Sequence, residues 1–211
     1  MRSVVLPIIG INVLVFLLQV TLGDAFTSMF ILDSEKVLMQ PYRLLTSMFM
    51  HGSGAHIAFN MFGLLIFGPL LEQILRPKRF LYLYIGSGLL AAVVSSFLYP
   101  LALGASGAIF GMLGALIYLM PNLKILLFFV LPMPLWIAGI LWVGLDIFGI
   151  FTNNNVANEA HLVGIAAGLL YGYYIKRPRV SIIKKPKKPT RNDNIALTDA
   201  EIDEYLRSGR L

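Results

Sequence analysis

Four polar residues, His56, Asn60, Ser106 and His161, sit at the starts of long apolar runs. Polar groups at membrane depth are costly, so such residues are candidates for function. His56 and Asn60 are spaced i and i+4, which projects both from one face of a helix. Ser106 stands in the tight turn Gly104-Ala-Ser106-Gly107, and His161 in Ala160-His161-Leu-Val-Gly164. A serine hydroxyl is a poor nucleophile until a base within hydrogen-bond reach takes its proton, and histidine titrates where it can do so near neutral pH. Ser106 and His161 are therefore a candidate nucleophile and base. Any one of these residues alone would be explained by hydrogen bonding between packed helices. Together at one depth they are hard to explain as packing.

The elements that must position them are spanning helices. The chain has 211 residues, 57% of them hydrophobic and 13% charged, against about 25% charged in an ordinary soluble domain. Runs of the length needed to cross a ~30 Å hydrocarbon core occur at residues 4–22, 55–75 and 80–99, with shorter ones at 107–120, 135–151 and 160–175. The first follows Arg2, but it exceeds a signal-peptide core and lacks a clear A-x-A site, so it reads as a first transmembrane helix. Residues 23–54 mix polar, aromatic and apolar groups and read as a structured loop at the membrane surface. The proline-interrupted stretch 125–134 is placed along the interface. The expected fold is an all-α polytopic membrane protein of six transmembrane helices spanning residues 1–175. Residues 176–211 form a basic linker and a polar segment in which Thr198 and Glu201 have capping-box spacing.

Several classes of function are disfavoured. The chain has no cysteine, which removes disulfides, thiolate catalysis and Cys-containing metal sites. It has no H-E-x-x-H pattern, which removes a metalloprotease reading, and no metal or other cofactor is expected. The net charge of +6 arises from residues that flank apolar runs, which suits lipid head groups and not nucleic acid. A transporter would need broken helices and paired charges at the midplane, and no intramembrane ion pair is evident.

Orientation follows from the Lys/Arg bias. With six helices and both termini in the cytoplasm, the inside holds Arg2, Arg76, Lys78, Arg79, Lys124 and the basic residues after position 175, while the outside keeps Lys36 and Arg43. The expected location is a bacterial plasma membrane. All four polar residues then lie toward the outer ends of their helices. The fourth helix has about 14 residues, or ~21 Å at 1.5 Å per residue, so Ser106 would lie ~9 Å below the outer surface. Gly107 and Gly111 make one ridge of small residues, and Gly164, Gly168 and Gly172 another. If the ridges meet, His161 comes opposite Ser106.

These residues resemble the rhomboid family of intramembrane serine proteases. The marks of that family are a G-x-S-G box, an A-H-x-x-G segment and an H-x-x-x-x-H-x-x-x-N segment. Here they read Gly104-Ala-Ser106-Gly107, Ala160-His161-Leu-Val-Gly164 and His51-x-x-x-x-His56-x-x-x-Asn60, in that family's order and helix placement. The resemblance covers roughly residues 1–175 and implies a six-helix rhomboid-like bundle that cleaves transmembrane protein substrates within the lipid bilayer. It implies Ser106 as nucleophile and His161 as general base, a dyad without a third acid, with His56, Asn60 and the Ser106 backbone N–H as the oxyanion hole. It also implies a lateral gate formed by the loop before Met61's helix and the fifth helix around Trp142. Tyr42-Arg43 stands for the family's aromatic-Arg pair in the first loop, and Phe110 for an aromatic that packs on the imidazole. The alternative is a catalytically inactive rhomboid-like protein that binds membrane clients, against which the presence of both Ser106 and His161 argues. His51 is expected to brace the loop and Glu72 to be a structural hydrogen-bonding group. Asp146 is expected to hydrogen-bond locally and not to complete a triad. Glu159 either tunes His161 or serves the helix N-terminus, where a carboxylate is favoured. Neither the substrate-binding residues nor the oligomeric state can be read from the sequence.

Overall fold

The computed structural model describes residues 3–127, 130–152 and 156–175. The tail segment 176–211, with the Thr198 and Glu201 spacing, lies outside them. The remainder is a helical bundle in chain order α1 (Val5–Phe30), β1 (Leu32–Asp33), α2 (Arg43–Thr46), α3 (Gly54–Leu75), α4 (Pro77–Leu98), β2 (Leu101–Ala102), α5 (Ser106–Leu119), β3 (Lys124–Leu127), β4 (Leu131–Pro134), α6 (Leu135–Thr152) and α7 (Asn158–Ile175). Among the described residues α1, α3, α4 and α6 are long and apolar enough to cross a membrane. The other two expected spans, α5 and α7, are built differently. α5 has only 14 residues, and α7 trades leucine for glycine along the face it presents to α5.

The seam between α5 and α7 is the centre of the bundle, and glycine makes it possible. A Cβ added at Gly164 would stand 2.3 Å from the Gly107 carbonyl oxygen, and one at Gly168 1.9 Å from that of Gly111. The two ridges therefore meet backbone to backbone, as their spacing predicts. On the opposite side α5 lies as close to α4, where a Cβ on Gly111 would strike the Ser87 side chain at 2.2 Å. Around this seam Leu64, Leu71, Phe80, Tyr84, Met112 and Leu116 are all but fully buried. Outward faces carry leucine, isoleucine and phenylalanine in the open, among them Phe59, Phe97, Leu145 and Phe151. A soluble protein could not expose such a surface, but a bilayer solvates it.

Helix limits have local causes. α3 starts at the Ser53 hydroxyl, which accepts from the His56 backbone N–H. α4 begins with Pro77 at its first position, and the residue before it, Arg76, takes φ 68° and ψ 157°, outside the α region that a following proline disfavours. α5 ends just before Pro121.

Two features were not expected from the sequence. α1 runs past Leu22 to Phe30, with a break at Gly23 whose φ of 73° only glycine adopts readily. The stretch after α5, placed along the interface as an apolar run, forms an antiparallel hairpin in which Ile125 faces Met133.

The loop 31–53 is braced throughout. The Arg43 guanidinium donates to the carbonyls of Ser28 (2.8 Å) and Ile31 (2.7 Å) and to the Gln40 side chain (2.6 Å), stacking loosely over Tyr42. This braced loop holds the strand that leads to Ser106. Leu32 pairs with Ala102, Asp33 with Leu101, and the Gly104 N–H donates to the Ser47 carbonyl at 2.9 Å. At the opposite end of α3 the Glu72 carboxylate accepts from the Ser3 hydroxyl (2.5 Å) and the Val4 N–H (2.6 Å), the structural role expected of it.

Candidate active site

Ser106 is the first residue of α5, and His161 lies in the first turn of α7. The glycine seam fixes the distance between them, with His161 Nε2 2.9 Å from Ser106 Oγ. Phe110, one turn below the serine, stacks on the imidazole with ring centroids 4.2 Å apart and planes within 11°. The ring is thus held by packing on its face as well as by hydrogen bonds at its edge.

The other imidazole nitrogen corrects the expectation for Asp146. Its Oδ1 lies 2.8 Å from His161 Nδ1, so the carboxyl does not bond locally on its own helix. The reason is the inward face of α6, where Leu135, Ala138, Gly139, Asp146 and Gly149 are buried at helical spacing. Gly139 and Gly149 bring α6 close to its neighbours, and Asp146 is carried in with them. That pattern of small residues flanking one carboxyl was legible in the sequence, but the identity of its partner on another helix was not.

His56 and Asn60 project from the first two turns of α3 toward the same space. A Cβ on Gly104 would stand 2.8 Å from His56 Cε1, 2.9 Å from His56 Nε2 and 3.8 Å from Ser106 Oγ, which places the His56 ring edge beside the serine turn. Gly104 can lie there because it has no Cβ and because its φ of 126° is open to glycine. The Gly52 N–H points at His56 Nδ1 over a long 3.5 Å, an arrangement that leaves Nε2 as the N–H donor of the ring. Asn60 is buried, and its Nδ2 has no hydrogen-bond partner among the described residues. A buried amide with unused donors is costly unless a ligand atom arrives to accept from them.

His51 stands apart from this chemistry. It is 2% exposed, and the Gln19 side chain clamps its backbone, accepting from the N–H (2.9 Å) and donating to the carbonyl (3.2 Å). Burial, with His56 beside it, pushes its imidazole down to about 4, so the ring is neutral near pH 7. It meets His56 edge-on, with centroids 5.0 Å apart, and neither ring nitrogen has a hydrogen-bond partner among the described residues, so the bracing expected of His51 runs through its backbone. Glu159, in the first turn of α7, accepts from the Tyr99 hydroxyl.

All four candidate residues line one cavity of about 890 Å³. Its walls include Phe59 of α3 and Ile150 of α6, and Tyr99 and Glu159 stand at its polar side. Phe67 of α3 meets Trp142 of α6 edge to face, at 6.5 Å between centroids. Phe67 lies eight residues, or ~12 Å, along α3 from Phe59. Chemically, the cavity holds a hydroxyl with a base, a carboxyl behind the base, and unpaired donors beside the hydroxyl. That set suits acyl transfer.

Comparison with known proteins identifies the family. A family model described as Rhomboid domain matches residues 38–178. The chain is 34% identical over 188 residues to the mitochondrial Rhomboid protein 1 of Saccharomyces cerevisiae, covering 83% of this chain and 54% of the yeast protein. It is 35% identical over 147 residues to the Rhomboid protease GluP of Bacillus subtilis, covering 68% of this chain and 28% of that one. It is 32% identical over 141 residues to the putative rhomboid protease YdcA of the same bacterium, covering 63% and 66% respectively. The chain thus spans between about a quarter and two thirds of the length of these relatives.

Proposed function

Because the chain belongs to the rhomboid family, we propose that it is an intramembrane serine endopeptidase that hydrolyses peptide bonds of transmembrane protein substrates, with Ser106 as nucleophile and His161 as general base. The observation that carries this reading is the 2.9 Å contact between Ser106 Oγ and His161 Nε2 at the wall of a large cavity among membrane helices. As Oγ attacks the carbonyl carbon, its proton passes to Nε2 and the carbonyl oxygen takes the electron pair. The oxyanion is received by His56 Nε2–H, the Asn60 amide and the Ser106 backbone N–H. That last group belongs to the first turn of α5, where backbone N–H groups have no partner within the helix. The imidazolium then gives its proton to the leaving amine, and water releases the acyl group by the reverse path.

Substrate enters from the side, between α3 and α6, with the Phe67–Trp142 contact closing the seam deeper in. A helical segment shields its own peptide bonds with hydrogen bonds, so it must unwind before Ser106 can reach them.

The reading is tested with the purified chain in detergent, a single-span substrate and a small serine-directed phosphonate. Cleavage should be blocked, and mass spectrometry should find the adduct on Ser106. Asn60→Ala should be labelled more slowly, and its kcat should fall by about 10²–10³ with KM little changed, because the amide acts only on the developing oxyanion. An adduct on another serine would remove Ser106 from the mechanism. A raised KM at unchanged kcat in Asn60→Ala would make Asn60 a substrate-binding residue.

The chain is a multi-pass membrane protein. Six relatives are named mitochondrial and two come from a bacterium, so the relatives do not support the expected bacterial plasma membrane. The part of that expectation we carry forward is orientation, with the basic turn at 76–79 on the cytoplasmic or matrix side and the cavity facing away from it. Topology reporters inserted in that turn and beside Val156 should report opposite sides. The same side for both would overturn the six-span arrangement.

A further inference from the structure

The described part of α6 carries one ionisable side chain, and it lies on the buried face. A carboxyl at membrane depth is kept only where it has work to do. Asp146 is 6% exposed, its Oδ1 is 2.8 Å from His161 Nδ1, and its Oδ2 is buried with no hydrogen-bond partner among the described residues. Hydrogen bonding on its own helix and exposure to solvent are thereby removed as reasons for its presence. The other titratable groups near the imidazole are engaged or placed elsewhere. His56 lies across the cavity beside Gly104, and Glu159 is taken by Tyr99.

We propose that Asp146 is a positioning residue that extends the Ser106–His161 pair into a Ser–His–Asp triad. This rests on the protease reading above. The Asp146 carboxylate accepts the His161 Nδ1–H and so fixes the tautomer that presents a free lone pair at Nε2 to the Ser106 hydroxyl. When Nε2 takes the serine proton, the carboxylate faces the imidazolium across a 2.8 Å contact and takes no proton itself. The cavity wall there is formed by packed helices, so little water is at hand to do the same. Phe110 holds the plane of the ring, and Asp146 holds its rotation within that plane.

Histidine side chains number three in the whole sequence, which makes imidazole ¹⁵N NMR tractable on the full chain in micelles. His161 is assigned by its loss in a His161→Ala sample. Wild type should show the Nδ1–H tautomer at His161. Asp146→Asn, whose amide can donate to Nδ1, should switch it to Nε2–H and lower kcat by at least about 10²-fold, with KM changed far less. Asp146→Glu should retain the Nδ1–H tautomer and recover part of the rate. A wild-type spectrum with His161 as Nε2–H overturns the proposal without need of any variant. So does an Asp146→Asn protein that cleaves within about threefold of wild type. If no substrate is cut by wild type, or Ser106→Ala still cuts, the protease reading fails, while the tautomer measurement still decides whether Asp146 orients His161.

Discussion

Alanine in place of Ser106, or of His161, is expected to bring cleavage of a single-span substrate down to background, and the double variant is expected to fall no further. The two side chains share one hydrogen bond of 2.9 Å, and each is idle without the other. Residues that act as a unit lose their effects together, so the penalties do not add. Against a serine triad's usual contribution, the loss in kcat is on the order of 10⁶. Ser106→Ala should leave the fold intact, since the cavity beside Ser106 is open, whereas His161→Ala strips the buried Asp146 carboxyl of its partner and should lower the melting temperature. The check is a cleavage assay on the three variants beside their thermal melts. Single variants that each keep measurable activity, and a double that loses the product of the two effects, would mean that the two residues act independently.

The second large effect concerns folding. Gly168→Val should yield no folded protein, and even Gly168→Ala should cost at least the ~1–3 kcal/mol typical of overpacking. A Cβ there would meet the Gly111 carbonyl oxygen at 1.9 Å and the Ala115 nitrogen at 2.7 Å. Both are backbone atoms, which cannot rotate aside as a side chain can. Gly144 on α6 is the control, because nothing lies within 4 Å of a Cβ built on it. Gly144→Ala should be neutral or stabilise slightly, as alanine favours helix over glycine by up to about 1 kcal/mol. Gel filtration and thermal melts of the three variants decide it. A Gly168→Ala protein as stable as Gly144→Ala would mean that α5 and α7 are farther apart than described.

These two expectations mark what was legible in the sequence. The glycines at 107 and 111 and at 164, 168 and 172 recur every four residues, a local signal, and their meeting sets the Ser106–His161 distance. The short α5 was legible for the same reason, since its length depends on neighbours within a few positions. Asp146 was not. A carboxyl on one helix and an imidazole 15 residues later on another are joined only by the way α6 docks, and docking depends on the shape of the whole bundle. Reading Asp146 together with Gly139 and Gly149 as one inward face would have narrowed its partners to the site. The helical turn beyond Gly23 was missed because one positive-φ glycine both ends a helix and permits another. The hairpin at 124–134 was missed because a short apolar run carries no period that separates strand from interfacial coil.

The break at Gly23 leaves α1 with residues 5–22 as its straight apolar part, and α6 has 18 residues as well. Each is therefore ~27 Å long, while a typical hydrocarbon core is ~30 Å thick. Lipids that touch these two helices must shorten by a few ångströms, at a fraction of a kcal/mol for each ångström. The bilayer would thin beside these two helices but not beside α3 and α4, whose 22 residues span ~33 Å. The mismatch is therefore uneven around the bundle, and a thinner bilayer would relieve it on the α1 and α6 sides alone.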